Sequence, residues 1–285
     1  MELYAFTTGY IPVVGRALRA DGPWRFIRMP MICFLAVQGK RLILIDTGLG
    51  MLTVENPRAF PGTLNMRLLN FRITREETAA ARIRSLGYEP GDVTDIILTH
   101  CHIDHTGGLP DFPAARVHTS NKEYEVYRRL TGKISSFYHP GSFAHGVSWE
   151  PHRLEEKEYH GFRHSLDLFG DGSIHLISTP GHTAGHIGAA VTIGGESYLH
   201  LGDAALFEAQ YTDPRLVSFG TKIFRAIANQ MPDEEKRTRT MLREHHLRHP
   251  EAVTICSHDW WKFRGLPQFP EPLAKGQETG APRLL

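Results

Sequence analysis

Residues 99–108, THCHIDHTGG, set His100, His102, Asp104 and His105 within six positions. Packing alone seldom concentrates imidazole at that density, and imidazole and carboxylate are the usual protein ligands of divalent metals. Three more ligand-type residues stand in turn-rich contexts: His182 in STPGHTAGH, Asp203 closing YLHLGD and His258 closing AVTICSH. Nitrogen and oxygen donors without thiolate suit zinc, iron, cobalt or manganese rather than copper(I) or an iron–sulfur cluster. Seven donors exceed what one tetrahedral zinc can use. If one carboxylate bridges, His100, His102 and His182 serve a first ion and Asp104, His105 and His258 a second, with Asp203 between them. Two ions roughly 3.5–4 Å apart can share a hydroxide and present it to a carbonyl or phosphoryl centre, because their charge lowers the pKa of the shared water toward neutrality. Asp46, following LILI, is one residue too many for that set. It is expected behind the ligands, orienting a histidine or its turn.

Such residues must be delivered by rigid elements, and each candidate lies where a strand pattern gives way to a loop. MICFLAVQGKRLILIDTG reads as two strands joined at Gly39-Lys40, the second ending at Asp46. Residues 51–72, rich in Pro, Gly and scattered large apolar groups, read as an irregular excursion. Thr74 and Glu77 form a capping-box signature ahead of a helix through EETAAARIRSLG, stopped by Gly87. VTDIILTH is a buried strand delivering His100, ARVHTS a short strand and NKEYEVYRRLTG a helix. Residues 131–165, aromatic and weakly periodic, are expected to be an ordered insertion near the site. GSIHLIST, GAAVTIGG and ESYLHLGD read as three short strands, DEEKRTRTMLREHHLRH as a helix and EAVTICSHD as a last strand.

Composition sets the bounds. The 285 residues, 41% hydrophobic and 22% charged, are ordinary for one large two-layer α/β unit spanning 1–285. A formal net charge of +1 gives no electrostatic footprint for nucleic acid or an anionic membrane. Seventeen histidines are the anomaly; those in EHHLRH read as a solvated helix face. Cys33, Cys101 and Cys256 are too few for a disulfide framework and read as buried side chains. With neither a signal-peptide pattern nor an 18-residue apolar stretch, a cytoplasmic protein is expected. His186 and His200 read as structural. An apolar substrate pocket is expected from Leu206, Phe207, Tyr138 and Trp260, with Phe26, Met29, Met31, Phe137, Phe143 and Trp261 as further candidates.

The order DTG, THCHIDHTGG, TPGHTAGH, GD and SHD resembles the metallo-β-lactamase superfamily over about residues 30 to 260. That resemblance implies an α/β (α+β) fold, the αββα sandwich of two mixed β-sheets flanked by helices, with a metal site at one edge. It lands the family's ligands on His100, His102, Asp104, His105, His182, Asp203 and His258. Within the superfamily, His102 argues against the flavodiiron-type branch, which has glutamate there, and Asp203 against the zinc β-lactamases, which lack it. Only 27 residues follow His258 (285 − 258), too few for the helical region of glyoxalase II. What remains is similar to lactonases that open N-acyl homoserine lactones and related small lactones or esters. The implied cofactors are two divalent ions, zinc foremost, with iron, cobalt or manganese compatible. The expected mechanism is attack by a metal-bridging hydroxide, with Asp203 bridging and Asp104 or a metal-bound water passing the proton to the leaving alkoxide. Those lactonases carry a tyrosine three residues after the bridging aspartate, where this chain has Leu206; either Tyr211 or Tyr138 supplies that function or the substrate differs. The rival reading is a mononuclear iron persulfide dioxygenase using His100, His182 and Asp203, and a non-catalytic binding role is a third. A homodimer is compatible with the resemblance, through residues 51–72 or 131–165.

Overall fold

The computed structural model describes residues 1–57, 69–130 and 137–276. Its strands are β1 (Glu2–Val14), β2 (Phe26–Gln38), β3 (Arg41–Ile45), β4 (Val93–Ile97), β5 (Arg116–Ser120), β6 (Ser148–His152), β7 (Ser165–Asp167), β8 (Ile174–Ser178), β9 (Ile187–Ile193), β10 (Glu196–His200), β11 (Val253–Ile255) and β12 (Ala274–Lys275). They form a seven-stranded sheet, β12-β1-β2-β3-β4-β5-β6, and a five-stranded sheet, β11-β10-β9-β8-β7. Both are mixed: β3 to β6 run parallel while β1 to β3 are antiparallel, and β11 is the parallel member of the second sheet. The helices are α1 (Gly15–Leu18), α2 (Met51–Glu55), α3 (Ala79–Ser85), α4 (Ile103–Thr106), α5 (Asn121–Leu130), α6 (Ala209–Thr212), α7 (Phe219–Ala228), α8 (Pro232–Arg248) and α9 (Trp260–Phe263).

Period-two alternation explains why the sheets stack. In β1, Leu3 and Ala5 join Phe34, Ile43, Ile45 and Ile97 in the core between the sheets, against Ile174, Leu176, Ala189 and Val191. The opposite faces of the same strands, with Tyr4, Phe6, Leu42, Leu44 and Ile96, pack on Ala79, Ala80 and Ile83 of α3. On the outer face of the second sheet, Ile177, Ala190 and Leu199 pack on Leu242 of α8. Three apolar layers thus give the expected helix–sheet–sheet–helix sandwich.

Three local readings differ from the sequence expectation. Ser148–His152, inside the expected 131–165 insertion, is the edge strand β6, paired with β5 through the register Thr119↔Pro151. Proline at mid-strand mutes the strand pattern, and an edge position tolerates its missing donor. The capping box at Thr74 and Glu77 closes a single 3-10 turn; α3 itself starts from Thr78, whose hydroxyl accepts from Ala81 N at 3.2 Å. In EHHLRH, His245 is buried rather than solvated, its Nδ1 2.9 Å from the His160 carbonyl. Of the two expected excursions, residues 58–68 and 131–136 lie outside the described residues.

Candidate metal centre

Every candidate ligand leaves the end of a strand on the same rim. Leu98 and Thr99 extend β4 to His100. His102 then N-caps α4, whose single turn carries Asp104 and His105. His182 follows β8, Asp203 follows β10 and His258 follows β11. The β10 and β11 exits are tied together by Leu201 N to Ile255 O (2.8 Å) and Ser257 N to Gly202 O (3.0 Å). Gly202 sits at φ +52°, and a Cβ there would lie 2.7 Å from His186 Nε2 and 2.8 Å from the Thr99 side chain, so the turn aiming Asp203 admits glycine alone.

Two groups of donors converge, His100, His102 and His182 in one and Asp104, His105, Asp203 and His258 in the other, the donor atoms within each group lying within 4.8 Å of one another. In the first, His102 Nδ1 is 3.1 Å from His182 Nε2. In the second, Asp104 Oδ2 is 3.4 Å from His258 Nε2. Asp203 spans both: Oδ1 lies 3.4 Å from His105 Nε2 and 3.3 Å from His258 Nε2, while Oδ2 lies 3.4 Å from His182 Nε2. The spacing fits a metal. Ligand bonds of about 2.0–2.1 Å at tetrahedral angles put neighbouring donors about 3.3 Å apart. The hydrogen-bond inventory fits as well, since His100 Nε2, His105 Nε2 and Asp203 Oδ1 are buried without a hydrogen-bond partner. Buried polar atoms are rarely left so, and several orphans facing one another demand a cation.

The back of the cluster is satisfied. Asp46, at φ 55°, takes Thr99 N on Oδ1 (2.9 Å) and the Thr99 hydroxyl on Oδ2 (2.8 Å), with His105 Nδ1 2.7 Å from Oδ2. His258 Nδ1 meets the Pro30 carbonyl at 2.8 Å, and His182 Nδ1 meets Asn229 Oδ1 at 3.0 Å. Each contact fixes a tautomer and leaves the other nitrogen for the cluster. Burial and the facing imidazoles hold His100 and His102 well below the ordinary histidine range. Burial works against charge on Asp203 too, but His258 and His105 outweigh it and keep the carboxyl well below its usual range. His258, against Asp203 and Asp104, is pushed up to about 10 despite its burial. The protons so held are those a divalent ion would displace.

Two supporting residues went unseen in the sequence. Asn229 caps the end of α7 and reaches back to His182. Glu123, in the first turn of α5, is fully buried and accepts from Cys101 N (2.9 Å) and the Thr183 hydroxyl (2.6 Å), so it staples the His100–His102 segment to the His182 loop. Gly185 packs so close to Glu123 that a Cβ would collide with its backbone. A lone glutamate in NKEYE carries no signal of this kind. His186 holds the Asp203 amide on Nε2 (3.0 Å) and faces the Thr179 hydroxyl through Nδ1 (2.8 Å), and His200 Nε2 meets the Ile32 carbonyl at 2.9 Å. Cys101 points into the outer core.

A narrow cavity of about 20 Å³ stands over the donors, walled by Ile11, Met29, Leu69, Phe71, Phe137 and Phe224. That is room for about one water, so a larger guest must displace a wall. Met29 and Phe137 thus stand at the cavity. Leu206 and Phe207 pack beside Met29 and Ile11 in the apolar cluster but do not line it, and Trp260 flanks that cluster. Phe26 is exposed, Met31 is buried and Phe143 packs against Tyr127 and Trp149. Tyr138 lays its ring against His102 while its hydroxyl accepts from Gln230 Nε2 at 3.2 Å. Tyr211 is spent on Thr254, 3.0 Å away in the outer core. Among the described residues, no tyrosine lines the cavity.

An αββα sandwich with a His/Asp cluster at its rim defines a class of metal-dependent enzymes. Residues 32–258 match the metallo-beta-lactamase superfamily, and the chain belongs to it. A probable metallo-hydrolase of Mycobacterium tuberculosis (strain ATCC 25618 / H37Rv) is 33% identical over 226 residues, 76% of this chain and 71% of that protein. The N-acyl homoserine lactonase AttM of Agrobacterium fabrum is 25% identical over 245 residues, 85% of this chain and 87% of that one. The solved structure of an N-acyl homoserine lactone hydrolase, with N-hexanoyl-L-homoserine bound at its catalytic metal center, shares the fold at TM-score 0.72 and 21% identity, covering 95% and 98% of the two chains. This chain is a metallo-hydrolase of the lactonase-like branch.

Proposed function

We propose that this chain opens lactones bearing an apolar acyl group, N-acyl homoserine lactones first, using two divalent ions, zinc foremost. The observation that carries the reading is Asp203, whose two oxygens face different histidine groups at 3.3–3.4 Å, as a carboxylate shared between two ions must. The names of the relatives support the substrate class. His100, His102 and His182 would hold one ion, Asp104, His105 and His258 the other. Bound there, the pair supplies an acidified water and the positive charge that a carbonyl oxygen develops toward.

The chain's own residues bind, orient and move the proton. Met29, Phe71, Phe137 and Phe224 offer an acyl chain an apolar wall and exclude bulk water. Asp104 is the least buried of the carboxylates in the cluster, 13% exposed. Its Oδ1 is the oxygen left to hand a proton to the leaving alkoxide, and its low proton affinity suits a relay rather than a store. Leu206 contributes no hydroxyl, and among the described residues no tyrosine lines the cavity. The carbonyl is therefore oriented without a phenol.

The test is proton release from a panel of acyl homoserine, γ- and δ-lactones by metal-loaded protein beside a chelator-stripped control. Metal-dependent opening that favours longer acyl chains is the expected result. No turnover on any lactone, with one iron per chain and oxygen consumed on a persulfide, would replace this reading.

A further inference from the structure

Helix α7 is apolar on two sides. Phe224 and Ala228 face the cavity over the ligand cluster, whereas Phe219, Ile223 and Ile227, spaced i, i+4, i+8, are 77%, 46% and 71% exposed. Its neighbour α1 is fastened to it: Ser218 Oγ donates to Ala17 O, Thr221 Oγ1 donates to Leu18 O at 2.8 Å, and Gly220 comes so near Ala17 that a Cβ would collide. The hairpin that α1 opens is closed by Gly15 N to Arg25 O (3.1 Å) and Arg16 N to Pro23 O (2.9 Å), and it carries Trp24 and Phe26, 83% and 70% exposed. Five large apolar side chains joined through α1 exceed the scattered singles normal on a soluble surface.

The unpaired charges around them are mostly basic. Arg16 lies over the Trp24 ring at 5.5 Å, and Arg25 and Lys222 stand exposed; none of the three has an ion-pair partner among the described residues. The acids of the neighbourhood are engaged, Asp21 by Arg19, Asp213 by Arg215 and Glu235 by Arg225. Asp233, in the first turn of α8, is the nearest unpaired acid in sequence. The whole-chain charge of +1 hides this local excess.

The geometry points to an anionic lipid bilayer as the occupant of this face, with α7 lying in the plane of the headgroups and Trp24, Phe26, Phe219, Ile223 and Ile227 below them. A basic rim around an aromatic and aliphatic face is the composition of an interfacial helix. No helix among the described residues is long and apolar enough to cross a membrane, so the contact is peripheral. A second copy of the chain seated on the same face would bring Arg16, Arg25 and Lys222 against their own equivalents, since a two-fold contact pairs a patch with itself. Anionic headgroups complement the same cations. One consequence rests on the lactone reading, although the docking does not: an acyl lactone dissolved in the bilayer would meet α7 on the face that adjoins Phe224 and Ala228 at the cavity.

The test is co-sedimentation of the full chain with vesicles of phosphatidylglycerol mixed with phosphatidylcholine, beside pure phosphatidylcholine. Partition into the anionic vesicles, weakened by salt and accompanied by a blue shift absent from W24F, is expected. The I223Q/I227Q double variant should bind at least about tenfold more weakly, and R16E or K222E about fivefold, with vesicle-free turnover unchanged. No binding to anionic vesicles, or equal binding by I223Q/I227Q, overturns the proposal. A dimer in light scattering that I223Q/I227Q splits, without vesicle binding, gives the face to a second copy instead. The vesicle readout needs no turnover, so its failure is distinct from failure of the lactone reading.

Discussion

Two buried clusters of histidine and aspartate occupy the first sheet and the rim it shares with the second, and residue type does not tell them apart. Across β4, β5 and β6, Asp95 Oδ1 accepts from Arg116 Nη2 at 2.6 Å and lies 2.9 Å from His118 Nε2, Asp95 Oδ2 accepts from the Thr94 hydroxyl at 2.7 Å, and His118 Nδ1 meets His152 Nε2 at 2.9 Å. Every polar atom of Asp95 and His118 has a partner. At the rim the same residue types leave His100 Nε2, His105 Nε2 and Asp203 Oδ1 orphaned and facing one another. The first cluster is a finished network that fixes strand pairing, and the second is finished only by a cation. Leftover donors at a common point, rather than the count of histidines, mark the metal centre.

The largest contrast is expected from removing one carboxylate from each. If Asp203 is shared as proposed, Asp203→Ala should lower lactone turnover by at least about 10³-fold, since that ligand and its charge would vanish together, and elemental analysis should find less than two metals per chain. Full turnover with two metals retained would show that Asp203 does not bridge. Asp95→Ala strips His118 and Arg116 of their acceptor at a cost of about 3 kcal/mol, the low end for a buried pair because Arg116 is half exposed. Thermal denaturation should show a fall on the order of 5–10 °C, with turnover per folded molecule intact. Burial opposes charge on Asp95, but His118, Thr94 and Arg116 prevail and hold its carboxyl below the usual range. The stabilisation is therefore complete above the ordinary carboxylate pKa and lost as pH falls through the lowered one. The gap between parent and variant should close in acid and persist at neutral pH.

Legibility followed how local each signal is. His100, His102, Asp104 and His105 share one strand end and one helical turn, so their convergence is visible as spacing in the chain. His182, Asp203 and His258 are legible only by their order after that element, since PGH and GD are common turns. RLILI, VTDII, RVHTS, IHLIS, IGAAVTI and ESYLH announce themselves by apolar runs between turn residues, whereas SWEPH hides behind its proline. The supports from Asn229 and Glu123 were illegible because they are long-range and carry no motif: Asn229 lies 47 positions from His182, and Glu123 lies 60 from Thr183. The pocket suffered in the same way, for Ile11, Phe71 and Phe224 come from three distant segments.

Smaller effects should separate the two halves of the rim cluster itself. Asp46→Ala removes the acceptor behind His105 and should cost about 10–100-fold in metal affinity or activity, read by competition with a chromophoric chelator. Asn229→Ala is milder. His182 Nδ1 loses a neutral acceptor, and because Asn229 is only partly buried a water can replace it, so about tenfold weaker binding is expected, the low end for such supports. The loss should fall on one of two metal equivalents, the one that His182 would hold, leaving the equivalent assigned to His105 and His258 at parental affinity. Asn229→Asp keeps an oxygen facing Nδ1 and adds charge to it, so it should bind at least as tightly as the parent. A purely structural role for Asn229 at the end of α7 would weaken both equivalents together in both variants, and that pattern would remove it from the metal centre.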